Sequence, residues 1–131
     1  EKIEILKGEE KIRLCIKIKA LKDIDKPIVG FVLKDSYGNS ILGANSFVYG
    51  NNLKPLKNKE DATVEFIFNI PLLKNGKYAF SVAVAEGTHD NHIQHHWVHD
   101  VYVIQIANPV AYANMDNCLL LGDADLTINQ Y

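Results

Sequence analysis

The sequence predicts an all-β domain, an antiparallel β-sandwich, on three observations. Hydrophobic residues recur with a period of two along most of the chain, the pattern of strands with one buried face. Turn signals rich in Gly, Pro, Asn and Asp separate these runs at intervals of roughly 10 to 20 residues. No segment longer than two turns keeps a helical stripe.

The elements follow in order. In EKIRLCIKIKAL, residues 10 to 21, Ile12, Leu14, Ile16, Ile18 and Ala20 alternate with Lys11, Arg13, Cys15, Lys17 and Lys19. One face is apolar and the other basic, as in a half-buried strand. DIDKP turns the chain, with Pro27 withholding a donor from the ladder, and IVGFVLKD (28 to 35) reads as the next strand. SYGN (36 to 39) is a turn, and SILGANSFVYG (40 to 50) reads as a third strand with a bulge at Gly43. NNLKPLKNKED is a polar loop. In ATVEFIFNI, Val64, Phe66, Phe68 and Ile70 alternate with Thr63, Glu65, Ile67 and Asn69, which predicts a strand central to the core. PLLKNGKY reverses the chain through Asn75-Gly76. KYAFSVAVAE then places Tyr78, Phe80, Val82 and Val84 on one face and small residues on the other. WVHDVYVIQIA (97 to 107) is strand-like and closes at Pro109. The tail holds an apolar run from Cys118 to Leu121 and a last strand around Leu126 to Ile128.

A chain of 131 residues fits one domain and buries roughly two-thirds of its unfolded surface. The hydrophobic fraction of 47% and charged fraction of 23% are those of a soluble globular protein, and a net charge of -2 argues against a nucleic-acid partner or an anionic membrane surface. The two cysteines, Cys15 and Cys118, form no CxxC and read as reduced thiols in a cytoplasmic protein, with a single disulfide between them as the alternative. No apolar run approaches the roughly 18 residues that span a bilayer. The N-terminal EKIEILKGEEK lacks an apolar signal-peptide segment, and a start without Met in strand-like sequence reads as a piece of a longer protein.

HDNHIQHHWVHD, His89 to Asp100, gathers all 5 histidines of the chain around Trp97. His89, His92, His95, His96 and His99 offer metal ligands, with Asp90 and Asp100 as oxygen or supporting partners. HExxH is absent. On a strand, moreover, Trp97 and His99 share one face while His96, Val98 and Asp100 share the other, so the ligands diverge. No metal or other cofactor is expected; the plainer reading is a polar loop leading into a strand. There is no GxSxG, Walker A or GxGxxG sequence, and adjacent His99 and Asp100 point apart, so the chain reads as non-catalytic. Sugar binding suits the residue types better: pyranose rings stack on Trp and Tyr, and their hydroxyls pair with Asn, Asp, His, Lys or Arg. Tyr37, Asn45, Tyr49, Trp97 and Tyr102 lie where such a surface can form; against this, exposed Tyr and Trp commonly serve packing, and the Arg13 and Lys17 stripe suits a solvated strand face.

KPIVGFVLKDSYGNSILGANSF, followed by FIFNIPLLKNGKYAFSVAVAEGTHDNHIQHHWVHDVYVIQ, resembles the C-terminal domain of Wzt-type proteins, the ATP-binding subunits of polysaccharide ABC exporters. GF-x-L-K-D-x-x-G with GANS, the PLLKNGKY turn and EGTHDNHIQHHWVHD carry the resemblance from about Gly8 to about Ile106. The tail beyond Pro109 matches less well, and the strand expected before Gly8 is short or missing. The resemblance implies an immunoglobulin-like sandwich that binds O-antigen polysaccharide at its non-reducing end, at the cytoplasmic face of the inner membrane. It also implies as partners the ATPase domain of the same protein, the transmembrane exporter subunit and a second copy of the chain, with the segment 109 to 131 exchanged between protomers. If the histidine segment is common to the family, its role is structural, with Trp97 packed and the histidines bonded to backbone; ligand contact by Trp97 or His99 is the alternative. The glycan surface is then better sought on exposed strand faces at Arg13, Lys17, Asn45 and Tyr49, with Trp97, His99 and Tyr102 completing the candidate set and Asn45 also placed for a local backbone hydrogen bond.

Overall fold

A computed structural model describes residues 3–87, 92–107 and 127–131, with the backbone alone at 92–95 and 127. The strands are β1 (Glu4–Leu6), β2 (Lys11–Lys19), β3 (Pro27–Asp35), β4 (Ser40–Asn45), β5 (Asp61–Asn69), β6 (Gly76–Gly87), β7 (His92–Ile106) and β8 (Thr127–Gln130). They form a five-stranded sheet in the order β1-β7-β6-β3-β4 and a three-stranded sheet in the order β2-β5-β8. No helix occurs among the described residues. The all-β sandwich predicted from the sequence is therefore the observed fold.

The alternations account for the core. Ile16 from β2, Val64, Phe66 and Phe68 from β5, Val29, Phe31 and Leu33 from β3, and Tyr78 and Phe80 from β6 are buried together between the sheets. Phe31 meets Phe66 edge-on at 5.0 Å between ring centroids, stacks on Phe68 at 5.2 Å and meets Phe80 edge-on at 5.8 Å. These are the offset and tilted geometries that aromatic quadrupoles favour. On the outer face of the small sheet, the buried Glu65 carboxylate accepts from Asn129 Nδ2 (3.0 Å) and Tyr131 Oη (3.3 Å) and pairs with Arg13 Nε (3.5 Å). The charge of Glu65 holds the Tyr131 phenol above its ordinary pKa, so this hydroxyl remains a donor. Three strands are thereby tied through one carboxylate.

The structure departs from the sequence reading in several places. β1 is short, at 3 residues, and pairs in parallel with β7, which makes the large sheet mixed. The third strand stops at Asn45 because Ser46 turns inward: its Oγ accepts Val29 N–H (3.1 Å) while its own N–H donates to Val29 C=O (2.9 Å). The irregularity between β3 and β4 falls at Leu33/Lys34, away from Gly43. Gly43 serves instead a close approach, since a Cβ there would lie 2.7 Å from Phe31 O. PLLKNGKY is a crossing from the small sheet to the large one, with no hairpin at Asn75-Gly76. β7 begins at His92, so the second half of the histidine segment is strand, paired with β6 from His92↔Gly87 onward. β8 runs one to two residues later than the predicted last strand. His89, Asp90 and the run from Cys118 to Leu126 lie outside the described residues; Cys15 carries a free, exposed thiol.

Candidate functional site

The outer face of the large sheet is built around one row of side chains. Asn45 on β4 opposes Gly30 on β3, Gly30 opposes Ala83 on β6, and Ala83 opposes Trp97 on β7. Residues directly opposite in antiparallel strands project to the same face. The row therefore reads large, absent, small, large across four strands, and the surface dips between Asn45 and Trp97. Ala85 and Ser81 extend the small floor along β6, Ile28 and Val32 border it on β3, and Phe47 closes it from the turn after β4. The resulting groove holds about 260 Å³. Its walls are aromatic and open to solvent: Trp97 and Phe47 are each 42% exposed.

Gly30 is required by the approach of β4. A Cβ at this position would lie 2.8 Å from Asn45 Cβ and 2.9 Å from Ala44 O, the latter being backbone that cannot rotate away. Gly30→Ala is expected to cost about 1–3 kcal/mol of stability. The checking measurement is the denaturant midpoint of the purified domain, and an unchanged midpoint would contradict the close approach.

The Trp97 indole is fixed in orientation. Its Nε1–H donates to His99 Nδ1 at 3.0 Å, and Lys34 Nζ donates to the same nitrogen at 3.0 Å. Both partners can only donate, so the single lone pair of Nδ1 is shared between the indole and the ammonium. The expectation of a packed Trp97 and histidines bonded to backbone is thus corrected at Trp97 and His99: the indole lies on the outer face, and its partner is a side chain. Trp97 and His99 share a face as their spacing predicts, while His96 turns to the cavity at the end of the sandwich with Val84 and Leu56.

The remaining predicted site residues separate. Asn45 lines the groove, and its Oδ1 accepts Val48 N–H at 2.8 Å, closing the turn that carries Phe47. Tyr49 lies in that turn, 53% exposed but outside the groove lining, and Tyr102 on β7 is 46% exposed and also outside it. Arg13 and Lys17 are on β2, hence on the other sheet. Arg13 is engaged with Glu65, and Lys17 borders the cavity at the end of the sandwich beside Lys19 and Lys22. Phe47, Gly30, Ala83 and Lys34 were not indicated as site residues. The small face of KYAFSVAVAE was the signal for the floor, but only strand register reveals what lies across from it. Among the described residues no three His, Cys, Asp or Glu side chains converge as a metal site; His89, His92 and His95 lie outside the side chains described.

Comparison with known proteins bears on this arrangement. The family model described as "Wzt C-terminal domain" matches residues 1–117. Among solved structures, one described as the crystal structure of the C-terminal domain of Wzt superposes with a TM-score of 0.73 at 17% identity, over 82% of this chain. The chain spans about 65% of the length of that structure's chain. No curated protein matches.

Proposed function

The chain belongs to the Wzt C-terminal domain family, and from that premise we propose that it is a non-catalytic carbohydrate-binding domain whose outer-face groove takes the non-reducing end of an O-antigen polysaccharide. Binding there couples chain completion to export by the ABC transporter, at the cytoplasmic face of the inner membrane. The partners of the domain in this reading are the ATPase domain of its own protein, the transmembrane subunit and a second copy of itself.

The observation that carries the proposal is the row from Asn45 to Trp97. A fixed, half-exposed indole over a floor of Gly and Ala gives the apolar face of a pyranose a surface to stack on. The depth of the groove comes from missing side chains, so no rearrangement is needed to admit a ring. Shallow grooves leave only the surplus over ordering and desolvation costs as affinity. A dissociation constant in the high micromolar range, about -5 to -6 kcal/mol, is expected for one domain, and pairing or tethering beside anchored glycan raises the effective concentration.

The test is calorimetric titration with the O-polysaccharide of the source strain, the same glycan lacking its terminal residue, and a glycan of unrelated serotype. Saturable binding of the intact cognate glycan alone supports a chain-end reader. A folded domain that binds none of them would refute it. One feature favours a docking module as the second reading: Phe47, Val48 and Tyr49 form an exposed apolar turn, at 42%, 60% and 53% exposure, beside the groove.

A further inference from the structure

We propose that a second, polar subsite in line with the groove, lined by Lys34, Tyr37, Lys77 and Asp100, takes a neutral sugar residue through a pair of adjacent hydroxyls. This inference rests on the glycan-binding reading of the groove.

The alignment of the two regions is written in the register. On the outer face β6 presents Ala79, Ser81, Ala83 and Ala85 in line, opposite Lys34, Val32, Gly30 and Ile28 of β3. This line spans seven residues, Ala79 to Ala85, about 20 Å at the usual rise, and it is covered at Ser81, 1% exposed, where the bridge from Lys34 through His99 to Trp97 crosses β6. Beyond that crossing lies a cavity of about 470 Å³ bordered by Lys34, Asp35, Tyr37, Lys77, Ala79 and Asp100. Three hydrogen bonds join the two regions. Lys34 reaches Trp97 through His99, and Asp100 N–H donates to Ser81 Oγ at 3.1 Å. Ser81 borders the apolar groove and Asp100 the polar cavity.

The polar end is suited to hydroxyls. Lys34 and Lys77 balance Asp35 and Asp100, so the cavity has no net charge to attract an anion. Asp35 is committed to its own turn, where its carboxylate accepts Tyr37 N–H (2.9 Å), Asn39 N–H (2.8 Å) and Asn39 Nδ2 (3.2 Å). Desolvation alone would raise its pKa, but the bonds from Asn39 and Tyr37 outweigh it and hold the group below 3.8, so it stays an acceptor. Asp100 therefore supplies the carboxylate at this end. It sits where β7 gains residues relative to β6, between the pairs Phe80↔Tyr102 and Val82↔Val98, in a left-handed backbone conformation with φ of 52°. A carboxylate accepts two adjacent hydroxyls at once, an ammonium donates to a third oxygen, and Tyr37, 89% exposed, offers a ring face. An acidic sugar would instead face Asp100 and Asp35 together.

The experiment titrates the same cognate O-polysaccharide into the wild-type chain and into Asp100→Asn, Lys77→Ala and Trp97→Ala variants, at low and high NaCl, with thermal melts confirming each fold. Asn tolerates the left-handed conformation, so Asp100→Asn preserves the backbone, and exposed Lys77 provides a second variant that does not depend on it. The expected result is roughly tenfold weaker binding for Asp100→Asn, from loss of the charged acceptor, weaker binding for Lys77→Ala, and no salt dependence in the wild type. Binding that is lost in Trp97→Ala yet unchanged in Asp100→Asn and Lys77→Ala would overturn the second subsite and leave the groove reading intact. Steep weakening with salt would overturn the neutral-sugar assignment. A wild-type chain that binds no glycan would overturn both.

Discussion

Ala83→Leu is expected to abolish glycan binding while the domain melts within a few degrees of wild type. Ala83 is the midpoint of the groove floor, opposed by Gly30 on one side and by Trp97 on the other. Its Cβ points away from the core, whose β6 members are Tyr78 and Phe80. A leucine side chain there projects into the space of about 260 Å³ that the row leaves open, and it stands against the indole face on which a sugar ring would stack. The loss of affinity should be at least tenfold, more than about 1.4 kcal/mol, and beyond detection for a ligand that begins in the high micromolar range. Stability should change little, because surface substitutions that touch no buried group usually stay within about 0.5 kcal/mol. Titration and a thermal melt on the same sample check both halves. If Ala83→Leu still binds the cognate glycan at wild-type affinity, the ligand lies elsewhere, and the basic face of β2 with Arg13 and Lys17 becomes the place to look.

The same residue shows how far the sequence could be read. Alternation made β2 and β5 legible because each buries one face, and the partition of KYAFSVAVAE into large and small faces was equally plain. The use of the small face was not. Small residues become a binding floor only when register sets them between Asn45 and Trp97, and that register depends on a hairpin, a sheet crossing and shifts in the β6–β7 pairing that no local pattern encodes. Assignment to a sheet was hidden for the same reason. Arg13, Lys17 and Asn45 all read as exposed strand positions, yet the first two belong to one sheet and the last to the other. In sequence Phe47 reads as part of the third strand, because nothing in GANSF announces that Ser46 is buried and bonded to Val29. A structural role for the histidine segment implies a packed Trp97, with ligand contact as the alternative; its bond to His99 satisfies the indole N–H at the surface.

The largest effect on stability is expected from Phe31→Ala, at about 3–5 kcal/mol. Phe31 belongs to the large sheet, but two of its three ring partners, Phe66 and Phe68, belong to the small one. Truncation therefore removes contact across the interface that defines the sandwich as well as leaving a cavity. The flanking strands cannot close that cavity easily: β3 is held on both sides, by β4 and by β6, so relaxation is small and the cost lies toward the top of the range. Against a total stability of roughly 5–15 kcal/mol for a domain, this loss lowers the melting temperature by about 10–20 °C. Phe31→Leu retains most of the volume and should lose distinctly less. The consequence reaches the groove, because Phe31 lies between Gly30 and Val32 and its own atoms border the cavity. Phe31→Ala should thus weaken glycan binding even at temperatures where it remains folded, whereas Phe66→Ala, equally buried but on the small sheet, should lose stability with less effect on binding. Melts and titrations of the three variants at one temperature below all their midpoints distinguish these outcomes. Equal binding losses for Phe31→Ala and Phe66→Ala would show that the floor depends on the whole core and not on β3 alone.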